Sequence, residues 1–88
     1  MRLDKFLQVS RLIKQRSLAK EACEKKRVFI DGDPAKASRE IMIGQKIKIR
    51  YAKKLLEVEL VEIPRGNVSK KKVSDLYRVI GERRVGES

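Results

Sequence analysis

Leu3, Phe6, Leu7 and Ser10 recur at helical spacing within residues 2 to 13, with Asp4 in the first turn where a negative charge suits the helix dipole. A first helix is predicted there. A second is expected from Ser17 as its cap, with Leu18, Ala19, Ala22 and Cys23 on one face and Lys20, Glu21 and Glu24 on others. A short basic stretch joins the two.

The period then falls to two. Val28-Phe29-Ile30 reads as a short strand, and Asp31-Gly32 as a two-residue hairpin turn, because both central positions of such a turn take positive φ. Pro34 cannot donate a ladder hydrogen bond, so the return strand should be short and lie at an edge. Ile47, Ile49 and Tyr51 alternate with Lys46, Lys48 and Arg50, which predicts a half-buried strand. Leu55 to Ile63 is its expected partner, with a bulge near Leu60 or Val61 where the alternation slips phase. Arg65-Gly66-Asn67 ends the sheet region. A last helix is predicted from about Lys70 by the spacing of Val73, Leu76, Tyr77 and Ile80, stopped by Gly81, with fraying expected from Arg83 to Ser88. The fold class is α+β: two N-terminal helices packed on a small, mainly antiparallel sheet, plus a C-terminal helix. Eighty-eight residues make one such unit, divided into a domain over 1–64 and a basic C-terminal extension over 65–88.

Charge narrows the function. The chain carries 23 Lys and Arg against 12 Asp and Glu, a net charge of +11. A few net charges suffice for solubility, so the surplus implies a polyanionic partner, nucleic acid ahead of an anionic membrane surface. By segment the net charge is +6 over residues 1–27, +1 over 28–64 and +4 over 65–88. The sheet is nearly neutral because Lys48 and Arg50 are expected across from Glu57 and Glu59. Arg11, Lys14, Arg16 and Lys20 instead cluster around the helix junction. Arg16 and Ser17 stand at a helix start, where free backbone N–H groups and the dipole favour a phosphate. On this reading Arg16→Ala removes an RNA contact with little loss of fold. Lys70, Lys71 and Lys72 form a second, weaker basic run.

The chemistry of catalysis is missing from the residue set. There is no histidine, and Cys23 is the sole cysteine, so no imidazole base, no zinc site of the usual nitrogen and sulfur type and no intrachain disulfide can be built. No enzyme activity, cofactor or metal is expected. Cys23 reads as a small buried hydrophobe, and Asp31 and Asp33 as turn residues rather than paired catalytic carboxylates. Phe6, Phe29, Tyr51 and Tyr77 lie at apolar-face positions and read as core. No apolar run is long enough for a signal-peptide core or a membrane span, and the lone cysteine suits a reducing compartment, so a cytoplasmic location is expected.

The run Arg2-Leu3-Asp4-Lys5-Phe6-Leu7, then Ser10-Arg11-Leu12, Arg16-Ser17-x-Ala19-Lys20 and Arg27-Val28-Phe29-Ile30-Asp31-Gly32, closely resembles the RNA-binding domain first described in small-subunit ribosomal protein four. The match covers about residues 1–50, with Asp31 where that family usually has Asn. Length, the start at Met1-Arg2-Leu3-Asp4 and the Ser10-Arg11-Leu12-Ile13-Lys14 stretch are similar to the RqcP family, short bacterial relatives of the fifteen-kilodalton heat-shock protein. That resemblance implies binding to a large ribosomal subunit that still holds peptidyl-tRNA, with contacts to large-subunit rRNA and to the tRNA. It also implies work with RqcH in template-free alanine tailing of stalled chains. A monomer is expected off the ribosome. Carried over, Arg2 and Arg16 match the family's RNA-contact arginines, with Lys5, Arg11, Lys14 and Lys20 as neighbours. The alternatives are a heat-shock-type rescue factor for blocked large subunits and a nonspecific nucleic-acid-binding polycation.

Overall fold

A computed structural model describes residues 1–66 and 68–85. Helix α1 spans Leu3–Val9 and α2 spans Arg16–Glu24. The first helix stops well short of residue 13 because buried Ser10 turns its side chain on the backbone. Its Oγ donates to the Leu7 carbonyl at 3.3 Å and accepts from the Leu12 N–H at 3.4 Å, a local bonding pattern that competes with helix continuation. Arg11 follows in the left-handed region, at φ +61°. The second helix ends on a Schellman pair, with Arg27 N–H on the Ala22 carbonyl at 2.9 Å and Lys26 N–H on the Cys23 carbonyl at 3.0 Å. Lys26 takes the left-handed position, at φ +58°.

Strand β1 (Val28–Ile30) turns through Asp31 and Gly32, at φ +50° and +92°, into the two-residue edge strand β2 (Asp33–Pro34). Both left-handed turn positions and the marginal place of Pro34 follow the sequence reading. Strands β3 (Lys46–Arg50) and β4 (Lys54–Leu60) form the next hairpin, and β5 (Tyr77–Arg84) closes a five-stranded antiparallel sheet in the order β2-β1-β3-β4-β5. Val28 stands opposite Ile49, Ile30 opposite Ile47, Ile47 opposite Val58 and Ile49 opposite Leu56. These pairs form one apolar face, and with Leu3, Phe6, Leu7, Ala19 and Cys23 of the helices they make a single buried cluster. Phe29 alternates onto the other face, opposite Lys48, and is half-buried rather than core.

Residues 70 to 81 depart from expectation. Helix α3 is a single turn, Lys70–Val73, and Tyr77 and Ile80, which the spacing placed on it, belong to β5. Leu76 anchors the change of element: it is fully buried, and its carbonyl accepts from the Val61 and Glu62 N–H groups at 2.9 and 3.1 Å. The bulge is displaced too. Strand β4 ends at Leu60, and the register steps between Glu57, opposite Gly81, and Val58, opposite Val79, which leaves Ile80 as the extra residue. Arg83 and Arg84, expected to fray, are paired with Leu55 and Lys54 in the sheet; residues 86–88 and Asn67 lie outside the described residues.

Candidate nucleic-acid interface

The N-terminal helix pair is organised around one buried carboxylate. Asp4 lies in the first turn of α1 and is 0% exposed. Arg16, the first residue of α2, donates to it twice, from Nε to Oδ2 at 3.2 Å and from Nη2 to Oδ1 at 3.4 Å. Arg2 grips it from the other side, Nε to Oδ1 at 3.3 Å and Nη2 to Oδ2 at 3.4 Å, and the Lys5 N–H donates to Oδ1 at 2.8 Å. Burial pushes the carboxyl upward, but the hydrogen bond and charge of Arg16, the Lys5 N–H and the charge of Arg2 together hold it below its ordinary value of 3.8. The side chains of Arg2 and Arg16 remain 44% and 43% exposed. One negative charge between two positive ones orients both guanidinium planes and leaves a net positive charge, with N–H donors still facing water.

Arg16 is therefore structural as well as exposed, which weighs against the expectation that removing it brings little loss of fold. The sequence reading missed its partner because Asp4 lies twelve residues away. A signal was present, since Asp4 shares a helix face with Leu7, where an acid needs a cation.

Ser17 is not the cap of α2. The helix begins one residue earlier, Gln15 is its N-cap and makes no side-chain bond, and no acid stands in the first turn. The N–H groups of Arg16, Ser17 and Leu18 find no acceptor among the described residues. Around this open positive end lie Arg11, Lys14 and Lys20, all exposed, with no carboxylate among the described residues within salt-bridge reach. Glu21, next to Lys20 in sequence, is occupied by Lys25 at 3.0 Å. Lys5 is half-buried and lines a hollow of about 540 Å³ with Arg2, Arg16 and Arg65. Arg2 and Lys20 meet at a second hollow of about 400 Å³, and Arg11 and Lys14 at a third of about 300 Å³. The seven sequence-predicted residues thus ring the helix pair rather than form one patch. Arg65 joins them from the chain after β4, a contribution no local pattern announced.

Two further groups fix the frame. The Tyr51 hydroxyl donates to the Leu12 carbonyl at 2.6 Å and so pins the α1–α2 connector to the end of β3. Burial, with a smaller contribution from Tyr77, pushes it up to about 12, so it stays a donor. Cys23 is buried against the same core, and burial, then Asp4 and Glu24, push its thiol up to about 11. It packs as a small hydrophobe. On the sheet, Lys48 stands opposite Glu57 as expected, but Arg50 faces Leu55, and Glu59 pairs with Arg78 of β5 instead. Lys70, Lys71 and Lys72 are exposed.

The pattern of the S4 domain matches residues 1–47, the stretch that holds both helices, β1 and β2. A Halalkalibacterium halodurans protein, the RQC P-site tRNA stabilizing factor, is 46% identical over 100% of this chain and 99% of its own, and its Bacillus subtilis counterpart 41% identical over 99% and 100%. The chain belongs to the S4-domain family of RQC P-site tRNA stabilizing factors. The trimeric structure of Vibrio cholerae heat shock protein 15 superposes with a TM-score of 0.84 at 32% identity, over 90% of this chain and 80% of that one. Arg2, Asp4 and Arg16 all fall inside the S4 match, whereas Arg65 and β5 lie beyond it.

Proposed function

We propose that this chain is a non-catalytic RNA-binding factor of ribosome-associated quality control, acting in the cytoplasm on the large ribosomal subunit and its P-site tRNA. The observation that carries the reading is the buried Asp4 with an arginine locked on each side, set beside an uncapped helix start. Guanidinium groups held in place lose little freedom on meeting a phosphate, and open helix N–H groups add donors of the same sign. Arg2, Lys5, Arg11, Lys14, Arg16, Ser17 and Lys20 are the residues we assign to contacts with large-subunit rRNA and peptidyl-tRNA. Such contacts fix one arrangement of a folded RNA and do no chemistry. The full-length likeness to named P-site tRNA stabilizing factors supports the same reading; partnership with RqcH in alanine tailing of stalled chains is a further part of the proposal, which rests on the resemblance drawn from the sequence. In this division of labour residues 1–64 are the RNA-binding domain and 65–88 a basic extension, and the chain is a monomer off the ribosome.

A second reading, rescue of blocked large subunits, is favoured by the likeness to heat shock protein 15. The readings part in a competition titration at near-physiological salt. The proposed factor should prefer subunits loaded with peptidyl-tRNA over duplex DNA by ~4 kcal/mol, the low end for specific binding, and alanine tailing in a reconstituted system should need both this chain and RqcH. Displacement by duplex DNA at equal phosphate concentration would sink the ribosomal reading; tight subunit binding with no effect on tailing would select the rescue reading.

A further inference from the structure

Leu18 was expected on the buried face of α2 with Ala19, Ala22 and Cys23, yet it is 45% exposed. It lines a groove of about 340 Å³ between α2, the connector and the end of β3, along with half-buried Ile13, Ala22 and Tyr51. Lys14, Arg27 and Arg50 form the rim, and no acidic residue among the described ones lines the groove. None of the three cations has a carboxylate within salt-bridge reach among the described residues, and Arg27 and Arg50 are held side by side by the Arg50 N–H on the Arg27 carbonyl at 2.8 Å. An apolar floor inside a ring of unpaired cations calls for an occupant with an apolar body and negative edges. The volume sits at the low end for small-molecule pockets, roughly 300 Å³, enough for one nucleotide. A protein interface would need ~800 Å² from each partner, far more than four partly covered side chains present.

We propose that this groove is a second RNA site that takes one unstacked nucleotide, its base against Leu18 and its neighbours and its flanking phosphates on Lys14, Arg27 and Arg50. The proposal rests on the RNA-binding reading above and adds a single-stranded element to it. Lys14 also lines the hollow beside Arg11, so one strand can run from the helix junction into the groove. Apolar surface covered by a base contributes affinity with little dependence on salt, whereas phosphate contacts carry the salt dependence.

That difference supplies the test. The full chain and two variants, Leu18→Gln and Arg50→Gln, are titrated with fluorescent hexauridylate and with an RNA hairpin duplex across a salt series. Leu18→Gln should weaken hexauridylate binding about fivefold, the effect of losing ~1 kcal/mol from covering the exposed part of a leucine, at an unchanged salt slope and with duplex binding unaltered. Arg50→Gln should weaken binding and lower the slope by about 0.7, the single-strand value for one phosphate. Wild-type affinity in Leu18→Gln, or equal weakening of single strand and duplex, overturns the site. So does weakened binding only to subunits carrying another protein factor, which would assign the groove to a protein. Failure of the primary reading is separate, since it appears as loss of subunit preference over duplex DNA in the unmodified chain.

Discussion

The two N-terminal helices begin in opposite ways. At the start of α1 the Leu3 and Asp4 N–H groups are taken by the Arg39 and Ala37 carbonyls, at 2.8 and 3.1 Å, and an acid sits in the first turn. That end is sealed by the segment after β2. At the start of α2 there is no side-chain cap, no acid in the first turn and, among the described residues, no acceptor for the first N–H groups. An uncapped start typically sacrifices ~1 kcal/mol of stability, which makes sense where the missing acceptor is to arrive from outside. Arg16 links the two ends: it starts the open helix and holds the acid of the sealed one.

Cutting that link should have the largest effect. Arg16→Ala leaves a buried carboxylate with Arg2 and one N–H, and should cost ~2 kcal/mol, between the values for exposed and buried pairs because Arg16 is partly in water. Thermal melts will show it, and co-sedimentation with large subunits should fall as well. The pH dependence has a definite sign. A carboxyl held below 3.8 in the folded chain stabilises it fully above about pH 4 and loses that contribution as pH falls through the folded value. The difference in melting temperature between the native chain and Arg16→Ala should therefore be widest near neutrality and narrow below pH 4; a constant gap would mean that the pair contributes nothing through charge.

Closing the open helix start tests the contrast from the other side. Gln15→Ser supplies the missing cap and should raise stability by ~1 kcal/mol while weakening RNA binding, as the serine oxygen occupies an N–H group meant for phosphate. A stabilised variant with undiminished affinity would show that the α2 start is not part of the interface. The smallest effect belongs to Arg11, whose left-handed backbone suits glycine. Arg11→Gly should gain up to ~1 kcal/mol in folding yet lose affinity, with the salt slope falling by about one phosphate's share. Loss of stability in that variant would mean that the side chain serves the fold.

Most of the frame was legible because it is written locally. The helical faces through Phe6 and Ala19, the Asp31-Gly32 turn and the alternation from Lys46 to Tyr51 each follow from neighbouring residues. What escaped depends on residues distant in sequence. The helical spacing of Val73, Leu76, Tyr77 and Ile80 is overruled by the unpaired edge of β4, whose backbone groups gain partners from a strand. The β-branched Val79 and Ile80 were the local hint. In the interface, charge counting found the cations but not the carboxylate that aims two of them, nor Arg65 beside Lys5.

The late arrival of β5 also sets an order of assembly. Strand β4 leaves the ribosome before the residues that pair with it, and 24 residues separate Leu60 from Arg84. Until β5 docks, β4 presents a bare edge. Such an edge is an invitation to pair with another nascent chain. Glu57 and Glu59, partnered across the ladder by Lys48 and Lys46 once β3 and β4 meet, leave that waiting edge studded with charge. Charge of this kind discourages edge-to-edge pairing, and in the folded chain Arg78 of β5 meets it at Glu59.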